Sequence, residues 1–197
     1  MTNLAITKNL IKPLAYLSIK HKQKQFIDWK LPCASALIFT IFAHFMIAST
    51  GAEAKANLGE TLVADVLTFT QSLPGFYIAA LAAIATFNKP GMDQKMPEPA
   101  PTLDIKKNGK TITIEMTRRR FLCLMFAFLT AESILLCTIL IIGKFSYIPV
   151  KSILPENLHT TTIIAYMALT SFVFFQMIIT TLWGLFYLGY KLHQPED

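Results

Sequence analysis

Three polar side chains stand inside apolar runs, where they are costly and where they could do chemistry. They are His44 in LPCASALIFTIFAHFMIAST, Glu132 in FLCLMFAFLTAESILLCTILIIG and Gln176 in TTIIAYMALTSFVFFQMIITTLWGLF. A carboxylate and an imidazole in hydrocarbon surroundings can pass protons or hold a cation, so an ionisable residue in such a run marks a functional site by default. Counted along their runs, Glu132 is about a dozen residues in from Phe121 and His44 a similar distance in from Leu31, while Gln176 precedes Phe186 by ten. In an antiparallel bundle the three fall at comparable depth, which allows hydrogen bonds among them. The functional readings are a proton relay, an ion pathway, or a sensor of helix rearrangement. The structural reading is glue between helices or subunits. One carboxylate and one histidine do not make a transporter. The chain also lacks the paired broken helices of an inverted repeat, which weighs toward glue.

These residues need helices to carry them. Of 197 residues, 53% are hydrophobic and 15% charged, with fifteen Phe and a mean hydropathy of +0.47. Globular chains carry roughly a quarter charged residues, so an integral membrane protein is expected. A spanning helix takes about 20 mostly apolar residues. Four stretches qualify: Leu31 to Thr50, a segment from Val66 that ends at Phe87 and is clearest over GFYIAALAAIATF, Phe121 to Gly143, and Thr161 to Phe186. The expected fold is an all-α transmembrane, four-helix membrane bundle with a small cytoplasmic β-hairpin between spans 2 and 3. The first thirty residues show no short apolar core followed by a small-residue cleavage site, so the first apolar helix is expected to stay in the membrane.

Charge sets the expected orientation. Fifteen of the eighteen Lys and Arg fall in the N-terminal segment, in the loop from Asn88 to Arg120, or in the tail; Lys55, Lys144 and Lys151 are the others. The positive-inside bias then places both termini and the long middle loop in the cytoplasm. The net charge of +6 is thus mostly topogenic and partly available to anionic lipid, and direct nucleic-acid binding is not expected. Trp29, Trp183, Tyr187 and Tyr190 sit where interfacial anchors belong, and Arg118, Arg119 and Arg120 mark the cytoplasmic start of the third span. The chain divides into a basic amphipathic cytoplasmic arm (1–30), two spans with a short outer segment (31–88), a cytoplasmic Pro-rich linker and hairpin (89–120), two further spans (121–187) and a cytoplasmic tail (188–197).

In the arm, Leu10, Leu14 and Leu17 with Ile11 form one helical face, with Lys8, Lys12 and Lys20 around it. An interfacial amphipathic helix lying on lipid is the plain reading, with Pro13 in its first turn or breaking it. Partner docking is the other.

The stretch TLDIKKNGKTITIEM reads as a hairpin, because Asn108-Gly109 suits a type I′ turn. Counting outward, Lys107 pairs with Lys110 and Leu103 with Ile114, so Leu103, Ile105, Ile112 and Ile114 share one apolar face. Asp104, Lys106, Thr111 and Thr113 share the other. An isolated two-stranded hairpin is marginal, so that face needs a cover: the arm, a second copy, or a partner adding a strand. The candidate docking residues are Leu103, Ile105, Ile112, Ile114, Lys106, Lys107, Asn108 and Gly109. The preceding KPGMDQKMPEPAPT is expected to be stiff, extended chain that holds the hairpin off the bilayer.

Pro74 and Gly75 interrupt the second span near its outer end. Pro74 fits a first helical turn; alternatively Thr61 to Gln71 forms a short outer-face helix that kinks at Pro74. A kinked outer element would be placed to sense membrane disturbance. Beyond it, Ala79, Ala80, Ala82, Ala83 and Ala85 offer close packing. Cys33, Cys123 and Cys137 fall in or beside apolar runs and are expected to be small buried hydrophobes rather than disulfides or zinc ligands. There is no phosphate-cradling glycine loop, HExxH, GxSxG or CxxC pair, and neither an enzyme nor a cofactor is expected.

The basic arm PLAYLSIKHKQKQFIDWKLP, the segment LPGFYIAALAAIATFNKPGMDQ, four spans and the hairpin together resemble the membrane subunits of the Kiwa anti-phage defence system. The resemblance covers most of the chain and rests on layout and these stretches. It implies a homo-oligomer, a tetramer, in the bacterial inner membrane. It further implies sensing of phage attack together with a cytoplasmic DNA-binding partner subunit, and it carries over no active-site residue. The leading expectation is a non-enzymatic sensor and anchor whose arm and hairpin recruit a soluble effector. The alternatives are a pore-forming or permeability-altering effector, with Glu132 and His44 lining a path, and a small transporter accessory subunit.

Overall fold

The computed structural model describes residues 9–50, 52–86, 88, 90–107 and 110–189, with backbone alone at 52–57, 90, 106 and 107. Asn108, Gly109, Phe87, Tyr190 and the tail beyond it lie outside the described residues, as do the side chains of Lys106 and Lys107.

Four long helices dominate: α1 (Leu31–Ala48), α2 (Ala52–Thr86), α3 (Arg118–Ile153) and α4 (Glu156–Gly189). Four helices are long and apolar enough to cross a membrane: Phe26–Ala48, Leu58–Thr86, Arg118–Ile153 and Glu156–Gly189, with mean hydropathies of 1.9, 1.3, 2.3 and 1.9. This is a multi-pass membrane architecture. At 1.5 Å per residue the 36 residues of α3 reach about 54 Å, well beyond a hydrocarbon core of about 30 Å. Each of α2, α3 and α4 therefore extends further than its apolar stretch alone predicts. Several hydroxyls inside these helices are satisfied locally, though those of the buried Thr40 and Thr180 are not. Thr130, Thr138 and Thr170 each donate to the carbonyl four residues back at 2.8 Å, which removes the cost of a bare hydroxyl in apolar surroundings.

The structure corrects several expectations. Pro74 does not start or split a helix; α2 runs through it for 35 residues, and no separate outer-face helix exists over Thr61 to Gln71. A proline there lacks the N–H that residue 70 would receive. Thr70 is buried beside it and turns its own hydroxyl to the Val66 carbonyl at 2.7 Å. Gly75 meets no atom that an added Cβ would touch, so packing does not require it. In the arm, Lys12–Ser18 forms a 3-10 helix with Pro13 in its first turn. Side chains three apart eclipse in that geometry. Ile11, Leu14 and Leu17 accordingly line an exposed edge, while Pro13, Tyr16 and Ile19 line the covered one. Cys33 is exposed rather than buried, and Cys123 and Cys137 are half-buried. Of the anchors, Trp29 is exposed, whereas Tyr187 is buried with its ring 6.0 Å from that of Phe121.

The hairpin pairs as counted: β1 (Thr102–Lys107) and β2 (Lys110–Glu115) are antiparallel, with Thr102 opposite Glu115, Leu103 opposite Ile114 and Lys107 opposite Lys110.

The chain packs as two units. The first comprises Met1–Phe26, Pro74–Ala131 and Thr180–Asp197; the second comprises Ile27–Leu73 and Glu132–Ile179. The first has a large apolar core in which Tyr16, Met92, Met116, Leu122, Met125 and Leu129 are fully buried. Buried apolar side chains in the second include Leu136, Leu140 and Met177, but Asp28, Thr40, Glu132, Ser133 and Gln176 are buried there as well.

Candidate functional site: a tethered hairpin and a buried polar cluster

In the first unit, three ties hold the hairpin and its linker to the rest of the chain. The arm reaches it by mutual backbone bonds: the Lys20 amide donates to the Thr102 carbonyl at 2.8 Å, and the Thr102 amide donates back at 3.1 Å. The Lys20 ammonium donates to Asp104 Oδ2 at 2.8 Å, and the Thr113 hydroxyl donates to Asp104 Oδ1 at 2.6 Å. These two donors, Lys20 foremost, hold the Asp104 carboxyl below the usual carboxylate range.

The second tie is the linker. The Met96 amide donates to the Met116 carbonyl, the Met116 amide to Pro101, and the Arg118 amide to Gln94. Lys95 meets Glu115 at 2.6 Å, and that hydrogen bond holds the Lys95 ammonium above its usual value. The Pro-rich stretch is therefore not a free spacer. Met92 drives it into the core, and its backbone groups find partners where the chain leaves β2.

The third tie is Arg119. Its Nε donates to Asp93 Oδ1 at 2.7 Å and its Nη2 to Asp93 Oδ2 at 2.9 Å, while Nη1 donates to the carbonyls of Ile84 and Ala85 at 2.9 and 3.2 Å. The last carbonyls of a helix lack intrahelical donors and carry partial negative charge, so a guanidinium suits them. Asp93 is held below the usual range by the hydrogen bond from Arg119. The sequence singles out Arg119 only as a topogenic charge. An acidic residue in a short linker before an arginine triplet is the one signal that points to the clamp.

These ties decide what the apolar hairpin face can offer. Leu103 is 5% exposed and unavailable to a partner, and Ile105 and Ile114 are half-buried. Ile112 is 43% exposed. On the covered edge of the arm, the Tyr16 ring stacks on Phe128 at 5.1 Å and Lys24 Nζ sits 4.2 Å from its centre.

In the second unit, the three intramembrane polar residues part company. Gln176 is buried and donates from Nε2 to the backbone carbonyl of Asp28 at 2.9 Å. Glu132 is 5% exposed and lies within electrostatic reach of Asp28. His44 is exposed on α1 and does not join them. The place expected for the imidazole is taken by a carboxylate that sequence reading passed over. Asp28 sits in IDWK, a polar-looking lead into the first span, yet Phe26–Lys30 is a π-helix and Asp28 is 1% exposed. A π turn shifts the i→i−4 ladder and is frequent at functional sites. Pro32, four residues on, has no N–H to give the Asp28 carbonyl, which accepts from Gln176 on another helix.

No family model matches the chain, and neither a curated protein nor a solved structure matches it.

Proposed function

We propose that this chain is a non-enzymatic sensor and anchor in a bacterial inner membrane, which recruits a soluble cytoplasmic effector through the exposed end of its hairpin. The observation that carries this reading is the contrast along the hairpin. Its base is fixed by Lys20, Lys95 and the buried Leu103, while Ile112 is uncovered beside the charged Lys110. A strand pair held rigidly at its base and left open towards its tip is suited to strand addition, in which backbone bonds supply affinity and side chains supply selectivity. The Lys and Arg bias supports a cytoplasmic hairpin. The resemblance to the Kiwa membrane subunits supports a role in anti-phage defence, with a homo-oligomer in the membrane and a DNA-binding partner in the cytoplasm.

The test is purification of the full chain from membranes of its source with its companions, alongside Ile112→Ser and Lys110→Glu. A stoichiometric soluble companion, lost in the variants while membrane insertion is kept, supports the anchor. A companion retained by both variants, or none at all, refutes docking at the hairpin.

A further inference from the structure

Glu132 is 95% buried, and its Oε2 atom has no hydrogen-bond partner among the described residues. A bare carboxylate oxygen is expensive in any interior and more so in a segment apolar enough to cross a bilayer. An unsatisfied buried group of this kind calls for a purpose or a ligand. Two further features converge on it from other elements. The π-helix before α1 buries Asp28 close enough for its charge to act on Glu132. From α4, Gln176 grips the Asp28 backbone.

We propose that Glu132 and Asp28 form a reversible proton-binding site within the membrane-spanning part of the chain, with Gln176 as a positioning residue. In loading, a hydronium ion gives its proton to a carboxylate oxygen of Glu132, leaving a neutral carboxyl and a water molecule; release is the reverse. A proton fits this donor set better than a metal ion. Divalent hard cations take about six or more oxygen ligands. Among the described residues, no group of three or more His, Cys, Asp or Glu could hold a metal. A proton needs one free oxygen, and Oε2 of Glu132 supplies it. Burial first, and the nearby Asp28 second, set how firmly it is held. The site is independent of hairpin docking: it lies in the other unit and stands or falls separately.

The test uses the full chain in liposomes of zwitterionic lipid, treated with dicyclohexylcarbodiimide at pH values stepped from about 5 to about 9, a range that brackets histidine-like and shifted carboxyl titrations. This reagent adds to a protonated carboxyl: a carboxyl oxygen bonds to the central carbon, the proton moves to a nitrogen, and rearrangement gives a stable N-acylurea with no atom lost. Mass spectrometry locates the adduct. Labelling is expected at Glu132 with a single pH midpoint. It is abolished in Glu132→Gln and unaffected in Glu115→Gln. Asp28→Asn displaces the midpoint by about one pH unit or more, because one carboxylate of the pair is gone. The wild-type profile stands without any variant, so a poorly folding mutant does not rescue the idea. Absence of a Glu132 adduct at every pH, a rate with no midpoint, or a midpoint unmoved in folded Asp28→Asn overturns it. Protection by sodium at constant ionic strength also overturns it, by identifying an alkali ion as the ligand.

Discussion

Arg119 grips Asp93 with two parallel hydrogen bonds of 2.7 and 2.9 Å and, with its third nitrogen, closes the end of α2 through the Ile84 and Ala85 carbonyls. One side chain thus joins the end of one helix, the linker and the start of the next. Lysine keeps the charge but not the planar fork. Arg119→Lys is expected to loosen the linker, so that cleavage after Lys95 by a lysine-specific protease becomes several-fold faster in detergent-solubilised protein. Equal cleavage rates for wild type and variant would sink the clamp.

Tyr16 anchors the arm. Its ring is 1% exposed, stacked on Phe128 and 6.1 Å from Phe121. Truncation of a buried aromatic costs about 3–5 kcal/mol. Tyr16→Ala is therefore expected to detach the arm, whose Lys20 bridge to Thr102 then opens. The measurement is the distance distribution between spin labels on the arm and on β2, which should broaden in the variant.

Two glycines make opposite predictions. A Cβ at Gly143 would overlap the Tyr166 ring, whereas a Cβ at Gly184 meets the flexible Met125 methyl at 2.5 Å. Overpacking against a fixed neighbour costs about 1–3 kcal/mol. Gly143→Ala is expected to lower thermal stability and Gly184→Ala to be tolerated, since a methionine end can swing aside. In a double-mutant cycle, Tyr166→Leu should recover most of the Gly143→Ala loss.

The ties around the hairpin predict a pH window. Asp93 and Asp104 are held below their ordinary 3.8, so their stabilisation is complete above that value and is lost as pH falls through their lower folded values. Lys95 is held above its ordinary 10.5, so its stabilisation is complete below that value and is lost as pH rises through its higher folded value. All three are exposed, and each contributes little alone. The packing of Met92 and Met116, followed by their isotope-labelled methyl resonances, is expected to be constant between these limits and to loosen beyond both. Loosening near neutral pH contradicts the assignment.

Gln176→Leu removes the donor that reaches the Asp28 carbonyl. Loss of a buried hydrogen bond costs about 1–3 kcal/mol when its acceptor stays buried. A drop in melting temperature with unchanged helix content is expected, and no drop would mean that the Asp28 carbonyl finds another donor.

Much of this protein was legible in its sequence. Four apolar runs gave four helices, because a backbone without water must satisfy its own amides and length alone then decides what can span. The hairpin register followed from Asn108-Gly109 and strict alternation, since a one-residue slip would turn every isoleucine to the wrong face. The arm's apolar edge was visible, but not its 3-10 winding, which fixes Ile11, Leu14 and Leu17 as the edge left open.

Only the tertiary structure decided which polar groups meet. Glu132, His44 and Gln176 share a depth along their runs, but depth does not fix rotation about a helix axis. His44 turns outward, while Gln176 turns to a residue 148 positions away. Asp28 looked like solvated lead-in because it closely follows the polar run HKQKQ; its burial comes with helices distant in sequence. Arg119 looked like one charge in a basic triplet until the fold brought Asp93 and the carbonyls of α2 to its three nitrogens. Local pattern sets which elements form, and the long-range packing of those elements sets which atoms within them come into contact.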